Sequence, residues 1–129
     1  MGSQMAMCMI DEQRRGARVP WNGGVVYESG PGDKSLGSWR DISYSGASVS
    51  LGRYLRPGRY VMLVSDFPFV ASGAVELKAR VVWCRPTGRD CRFLAGLRIF
   101  HDEFDAALAY ALLVDHATNE VADAVPAMA

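Results

Sequence analysis

Short stretches of alternating apolar and polar residues fill the middle of the chain, and turn-forming residues separate them. Residues 19–28 read as extended, with Val25, Val26 and Tyr27 following a bulge at Gly23-Gly24. Ser29-Gly30-Pro31-Gly32-Asp33-Lys34 breaks that run, because glycine and proline bring backbone angles that a strand does not use. Residues 36–43 form the next strand and residues 47–51 the third. A turn at Leu55-Arg56-Pro57-Gly58 leads into residues 60–64, and a loop around Asp66-Phe67-Pro68 follows. Residues 76–84 put Leu77, Ala79, Val81 and Trp83 on one side, with Val82 blurring the alternation. Residues 92–100 return as the hairpin partner, with Phe93, Ala95, Leu97 and Ile99 on one face. Six strands without interleaved helices predict a mainly β fold, an antiparallel barrel or sandwich. Closure into a barrel removes exposed edges.

Beyond residue 101 the apolar period lengthens to about 3.6. Phe104, Leu108, Ala111 and Leu112 line one side, Asp102 suits an N-cap, and Glu103 with Asp105 complements the positive end of the helix dipole. One C-terminal helix over about residues 103–116 is predicted, with the Phe104–Leu108–Leu112 side capping a barrel opening in preference to docking a partner. Residues 1–11 are read as a flexible N-terminal segment, in which Met1-Gly2-Ser3-Gln4 is consistent with a cloning remnant. Residues 12–116 form the domain, with the barrel ending near residue 100, and residues 117–129 form an acidic, frayed tail.

A chain of 129 residues is long enough to bury a core without disulfide or metal staples. No apolar run approaches the roughly eighteen residues of a membrane span, and Met5-Ala6-Met7-Cys8-Met9-Ile10 is too short for a signal peptide. A cytoplasmic protein without stable membrane insertion is expected, monomeric or weakly dimeric. The formal net charge of zero hides a lopsided distribution. All 14 Lys and Arg precede residue 101, against eight acidic residues, whereas residues 101–129 hold six acidic residues and no Lys or Arg. A basic body attracts anions, and the acidic end opposes coating of a long phosphate backbone, so DNA is not an expected partner. Cys8, Cys84 and Cys91 form no CxxC pair, which disfavours zinc. Cys84 and Cys91 flank one turn symmetrically and could face each other across it; two free thiols are the expectation in a reducing compartment. His101 and His116 lie in no metal-ligand spacing, and no nucleophile-elbow or phosphate-loop pattern occurs, so the chain is not expected to be an enzyme and no cofactor is expected.

Two clusters carry candidate chemistry. Arg14-Arg15-Gly16-Ala17-Arg18 puts three guanidinium groups within five residues, each able to fork two N–H donors onto a phosphate or a guanine edge. Asp41-Ile42-Ser43-Tyr44-Ser45-Gly46 offers a carboxylate, a hydroxyl and a glycine in a short turn. Taken singly, the first reads as a solvated basic arm and the second as an ordinary tight turn. Together and in this order they resemble the signature of the PilZ family, receptors for cyclic di-GMP. Arg14 and Arg18 match its RxxxR motif, and Asp41, Ser43 and Gly46 match (D/N)xSxxG. Gly96-Leu97-Arg98-Ile99-Phe100 is similar to the strand that closes that domain, and Gln13 departs from the arginine or apolar residue common before the first motif.

The resemblance implies a six-stranded antiparallel β-barrel and cyclic di-GMP as ligand, held by Arg14, Arg15, Arg18, Asp41, Ser43 and Gly46, with Gln13 and Arg98 as weaker candidates. It implies that Asp41 accepts from guanine N1–H and N2–H or else orients Arg14 or Arg18. It further implies signalling in trans to a protein partner, with motility, exopolysaccharide or adhesion machinery as the family expectation. Arg98, out of phase with the core positions, reads more simply as an exposed strand arginine. Trp83 reads as core, and Trp21 and Trp39 as buried tryptophans in preference to guanine platforms. Two other readings compete: a PilZ-like module that only mediates protein contacts, and a small barrel that holds single-stranded RNA.

Overall fold

The computed structural model describes residues 17–67 and 74–124. Seven strands and one helix follow in order: β1 (Val19–Pro20), β2 (Gly24–Glu28), β3 (Lys34–Ile42), β4 (Gly46–Leu51), β5 (Tyr60–Ser65), β6 (Val75–Pro86), β7 (Phe93–Ile99) and α1 (Phe104–Ala124). Around the sheet β3 pairs with β2, β2 with β5, β5 with β6, β6 with β7, β7 with β4, and β4 with β3 again, all antiparallel. Those six strands close a barrel, and β1 is an added piece on β3.

The single extended run expected over residues 19–28 is therefore split. Both parts still follow one edge of β3, since Trp21 N–H donates to Arg40 O at 3.1 Å and Trp39 N–H to Gly23 O at 2.9 Å. Gly23, at φ 155°, makes the break without side-chain strain. The inward positions pack as the alternation requires: Val25, Tyr27, Trp39, Val49, Leu51, Leu63, Leu77, Ala79, Val81, Ala95, Leu97 and Ile99 are all buried. The buried Trp39 indole donates to Ser65 Oγ at 2.9 Å, and that hydroxyl donates on to Gly24 O, so the core holds no stranded indole N–H.

The helix differs from expectation in two respects. It runs to Ala124, about two turns beyond His116, so residues 117–124 are helical where a frayed tail was expected. The face that closes the barrel is Tyr110, Leu113, Val114 and Ala117, all buried. The predicted capping stripe points to solvent instead: Phe104 is 76% exposed, Leu108 47% and Leu112 45%. An alanine-rich helix has two apolar stripes, and the larger side chains lie on the outer one. Cys84 is partly buried and Cys91 sits exposed in the β6–β7 turn; both are free thiols. Cys84 stands opposite Ala95, so the two cysteines do not face each other across the ladder.

Candidate functional site

The two-residue strand β1 brings the basic segment to the second cluster. Val19 pairs with Ile42 and Pro20 with Asp41, which carries the adjoining Arg18 onto the end of β3. Arg18 Nη1 donates to Asp41 Oδ1 at 2.7 Å and to Ser48 Oγ at 3.1 Å. The Asp41 carboxylate and the Ser48 hydroxyl thus hold one edge of the Arg18 guanidinium. An ion pair this exposed contributes little to stability, on the order of 0–1 kcal/mol. Its effect is to aim a guanidinium along the barrel wall. Gln13, Arg14 and Arg15 lie outside the described residues.

Ser43 and Gly46 close the β3–β4 turn. Ser43 N–H donates to Gly46 O at 2.8 Å, and Gly46 N–H donates to Ser43 Oγ at 3.2 Å. The Ser43 hydroxyl is buried and committed to this turn. Gly46 is required by packing: a Cβ there would stand 2.4 Å from the Leu97 carbonyl oxygen on β7. The turn is also tied to the helix. Tyr110 OH donates to Gly46 O at 2.7 Å, His101 Nε2 donates to Tyr44 O at 2.8 Å, and the Tyr44 hydroxyl donates to Asp115. Burial pushes the Tyr110 phenol well above its usual range, and the bond to Asp115 raises that of Tyr44, so both stay protonated donors near neutral pH. Tyr110→Phe removes one buried hydrogen bond while Gly46 O keeps the Ser43 N–H. The expected cost is about 1 kcal/mol in a urea unfolding curve.

One tryptophan departs from the position the alternation predicts. Between Val81 and Trp83 the β6–β7 register shifts by a bulge, which leaves Val82 56% exposed and turns Trp83 outward opposite Gly96. The indole lies directly over Gly96, where a Cβ would come within 2.2 Å of Trp83 Nε1. Trp83 is therefore a surface ring, not a core residue as the simple alternation predicts, and the blur at Val82 was the trace of the bulge. Arg85 places its guanidinium 4.9 Å from the ring centroid. Ser48 faces Gly96 across the β4–β7 ladder, so Arg18, Ser48, Gly96 and Trp83 form a continuous row over the outer wall. Arg92 Nε donates to Ser50 Oγ at 3.0 Å beside this row, and exposed Arg98 stands opposite Gly46. The other two tryptophans are occupied elsewhere: Trp39 is core, and Trp21 packs edge-on against His116.

The arrangement is a convex, cationic wall with one aromatic ring and one carboxylate. Such a wall can grip phosphates through guanidinium forks and stack a base. A separate groove of about 870 Å³, lined by Tyr60, Met62 and Phe100 among others, does not include Arg18, Asp41 or Trp83. No group of three or more His, Cys, Asp or Glu that could hold a metal occurs among the described residues.

A family model described as PilZ domain matches residues 12–112. This chain belongs to the PilZ domain family. A solved structure of the Bacillus subtilis inhibitor of motility (MotI/DgrA) superposes with a TM-score of 0.66 at 16% identity, covering 82% of this chain and 50% of that one. The PilZ domain of Escherichia coli YcgR with c-di-GMP gives 0.64 at 10% identity, over 85% of this chain and 95% of that domain. The PilZ domain of CeSA from a cellulose-synthesizing bacterium gives 0.60 at 18% identity, over 78% and 96%. At these identities the likeness concerns the fold. This PilZ chain spans about half the length of the motility inhibitor it resembles. A search of curated proteins finds no match. No described helix is long and apolar enough to cross a membrane.

Proposed function

We propose that this chain is a cyclic di-GMP receptor that signals in trans to a protein partner. The observation that carries this reading is Arg18, held by Asp41 and Ser48 on a wall that also presents Trp83. A phosphodiester is gripped by Arg18, and a guanine rests on the Trp83 indole with Asp41 at hand for its N1–H and N2–H donors. Because the wall is convex, the ligand needs a cover. Arg14 and Arg15 supply it when the arm folds over the bound phosphates, which neutralise its charge. The cationic wall, the family membership and the c-di-GMP complex of the YcgR PilZ domain support this reading.

The signal leaves through α1. Through Tyr110 and Asp115 the helix shares hydrogen bonds with the Asp41–Gly46 turn, so a ligand that moves the turn moves the helix. Its outer stripe of Phe104, Leu108 and Leu112 borders a groove of about 680 Å³ rimmed by Glu76, Glu103 and Asp105. Apolar side chains within an acidic rim suit a partner segment that is basic and amphipathic, whereas two copies of this acidic face would repel.

Isothermal titration of the full chain with cyclic di-GMP, GTP and a short single-stranded oligonucleotide tests the assignment. Cyclic di-GMP alone should give saturable binding at micromolar or lower concentration; tight binding of the oligonucleotide instead would support the RNA reading. Trp83→Ala should weaken cyclic di-GMP about five- to tenfold, the worth of one stacked base. An unchanged isotherm would remove the indole from the site.

A further inference from the structure

A second cationic feature lies on the same wall, outside the RxxxR and (D/N)xSxxG motifs. Arg80 on β6 and Arg98 on β7 stand directly opposite each other in the ladder, and both are exposed. Arg98 is also opposite Gly46, and Arg80 opposite Tyr60. The carboxylates in ion pairs among the described residues go to Arg18, Arg53, Lys78 and His116, so this arginine pair has no such partner there. Like charges directly opposite on one strand face repel and destabilise the pairing. An anion bound between them reverses that effect, since each planar fork donates two parallel N–H bonds.

The surroundings form a recess for such an anion. The turn that carries Pro57 and Gly58 is fastened to β6 by Gly58 N–H to Val81 O at 2.7 Å and Val81 N–H to Arg59 O at 2.8 Å. It walls a cavity of about 450 Å³ with Arg80, Val81, Val82 and Arg98. Arg98 and Gly96 are two residues apart on β7, roughly 7 Å along the strand, so the recess adjoins the Ser48–Gly96–Trp83 row without overlapping it.

We infer that Arg80 and Arg98 form a second phosphodiester clamp, which extends the ligand face across β7 and β6. The inference rests on the receptor reading above. The phosphodiester is either the second phosphate of the dinucleotide held at Arg18 or a phosphate of a second dinucleotide beside it, and binding stoichiometry separates the two.

The test is calorimetric titration of the wild-type chain, Arg80→Ala, Arg98→Ala and the double variant with cyclic di-GMP, alongside thermal melts without ligand. Each single change should weaken binding about threefold and the double change about tenfold. A fall from two ligands per protomer to one assigns the clamp to a second molecule, and an unchanged ratio of one assigns it to the second phosphate. Without ligand, the double variant should melt no lower than wild type, since a repulsion has been removed. Wild type that binds while the double variant matches it in affinity and stoichiometry overturns the clamp alone. Wild type that ignores cyclic di-GMP overturns the receptor reading and the clamp with it.

Discussion

Arg18→Ala is expected to weaken cyclic di-GMP binding between about tenfold and a hundredfold while leaving the barrel folded. The range follows from one charge-assisted hydrogen bond, about 1.5–3 kcal/mol, at 1.4 kcal/mol per factor of ten. Two features make this arginine costly to lose. It adjoins β1, which is paired to β3, and its Nη1 already rests on Asp41 and Ser48, so little side-chain entropy remains to be lost on binding. The fold has little stake in it, because the Arg18–Asp41 pair is partly solvent-exposed and such pairs contribute little. Asp41→Asn tests the positioning role separately. The amide oxygen still accepts from Arg18, so the variant should lose less affinity than Arg18→Ala, and a larger loss would place the carboxylate on the ligand itself. Ser43→Ala should also cost less than Arg18→Ala, since its buried hydroxyl is spent inside the turn. Wild-type affinity in Arg18→Ala would remove β1 and its arginine from the clamp.

Much of the barrel was legible because its determinants are local. Alternation at Leu77, Ala79 and Val81, or at Ala95, Leu97 and Ile99, needs only a period of two and a turn at each end. The order of the two motifs likewise pointed to an Arg18–Asp41 pairing that β1 delivers. What escaped was set by register, which belongs to pairs of strands. Within residues 76–84 only the blur at Val82 hints that β6 has one residue more than β7 opposite it, and simple alternation places Trp83 one phase too far inward. The same cause hid the Ser48–Gly96–Trp83 row and the Arg80–Arg98 pair, each spread over strands far apart in sequence. The helix failed for another reason. Phe104, Leu108 and Leu112 are more apolar than Tyr110 and Ala117, but the buried choice depends on which face meets the barrel mouth, where Tyr110 also finds an acceptor in Gly46 O.

Gly46→Ala should destabilise the protein by about 3 kcal/mol, the upper part of the range for forcing atoms into a packed interior. The obstacle is backbone: the new methyl would meet Leu97 O at 2.4 Å and Leu97 C at 3.5 Å, and neither can rotate away. To make room β4 must part from β7, whose register runs from Gly46–Arg98 to Leu51–Phe93. The same shift drags the Gly46 carbonyl from Ser43 N–H and from Tyr110 OH, loosening the motif turn and the helix together. Gly52→Ala is the control, since its added Cβ meets nothing within 4 Å. That variant should stay within about 0.5 kcal/mol of wild type, as surface changes usually do. Paired urea titrations give both values, and equal stabilities for the two variants would show that β4 and β7 tolerate a wider approach. A single domain holds only about 5–15 kcal/mol of stability, so Gly46→Ala removes a large share of it and takes ligand binding along. A glycine matched to a ligand motif thus acts first on the barrel: it lets two strands come close enough to hold Asp41, Arg18 and the helix in one place.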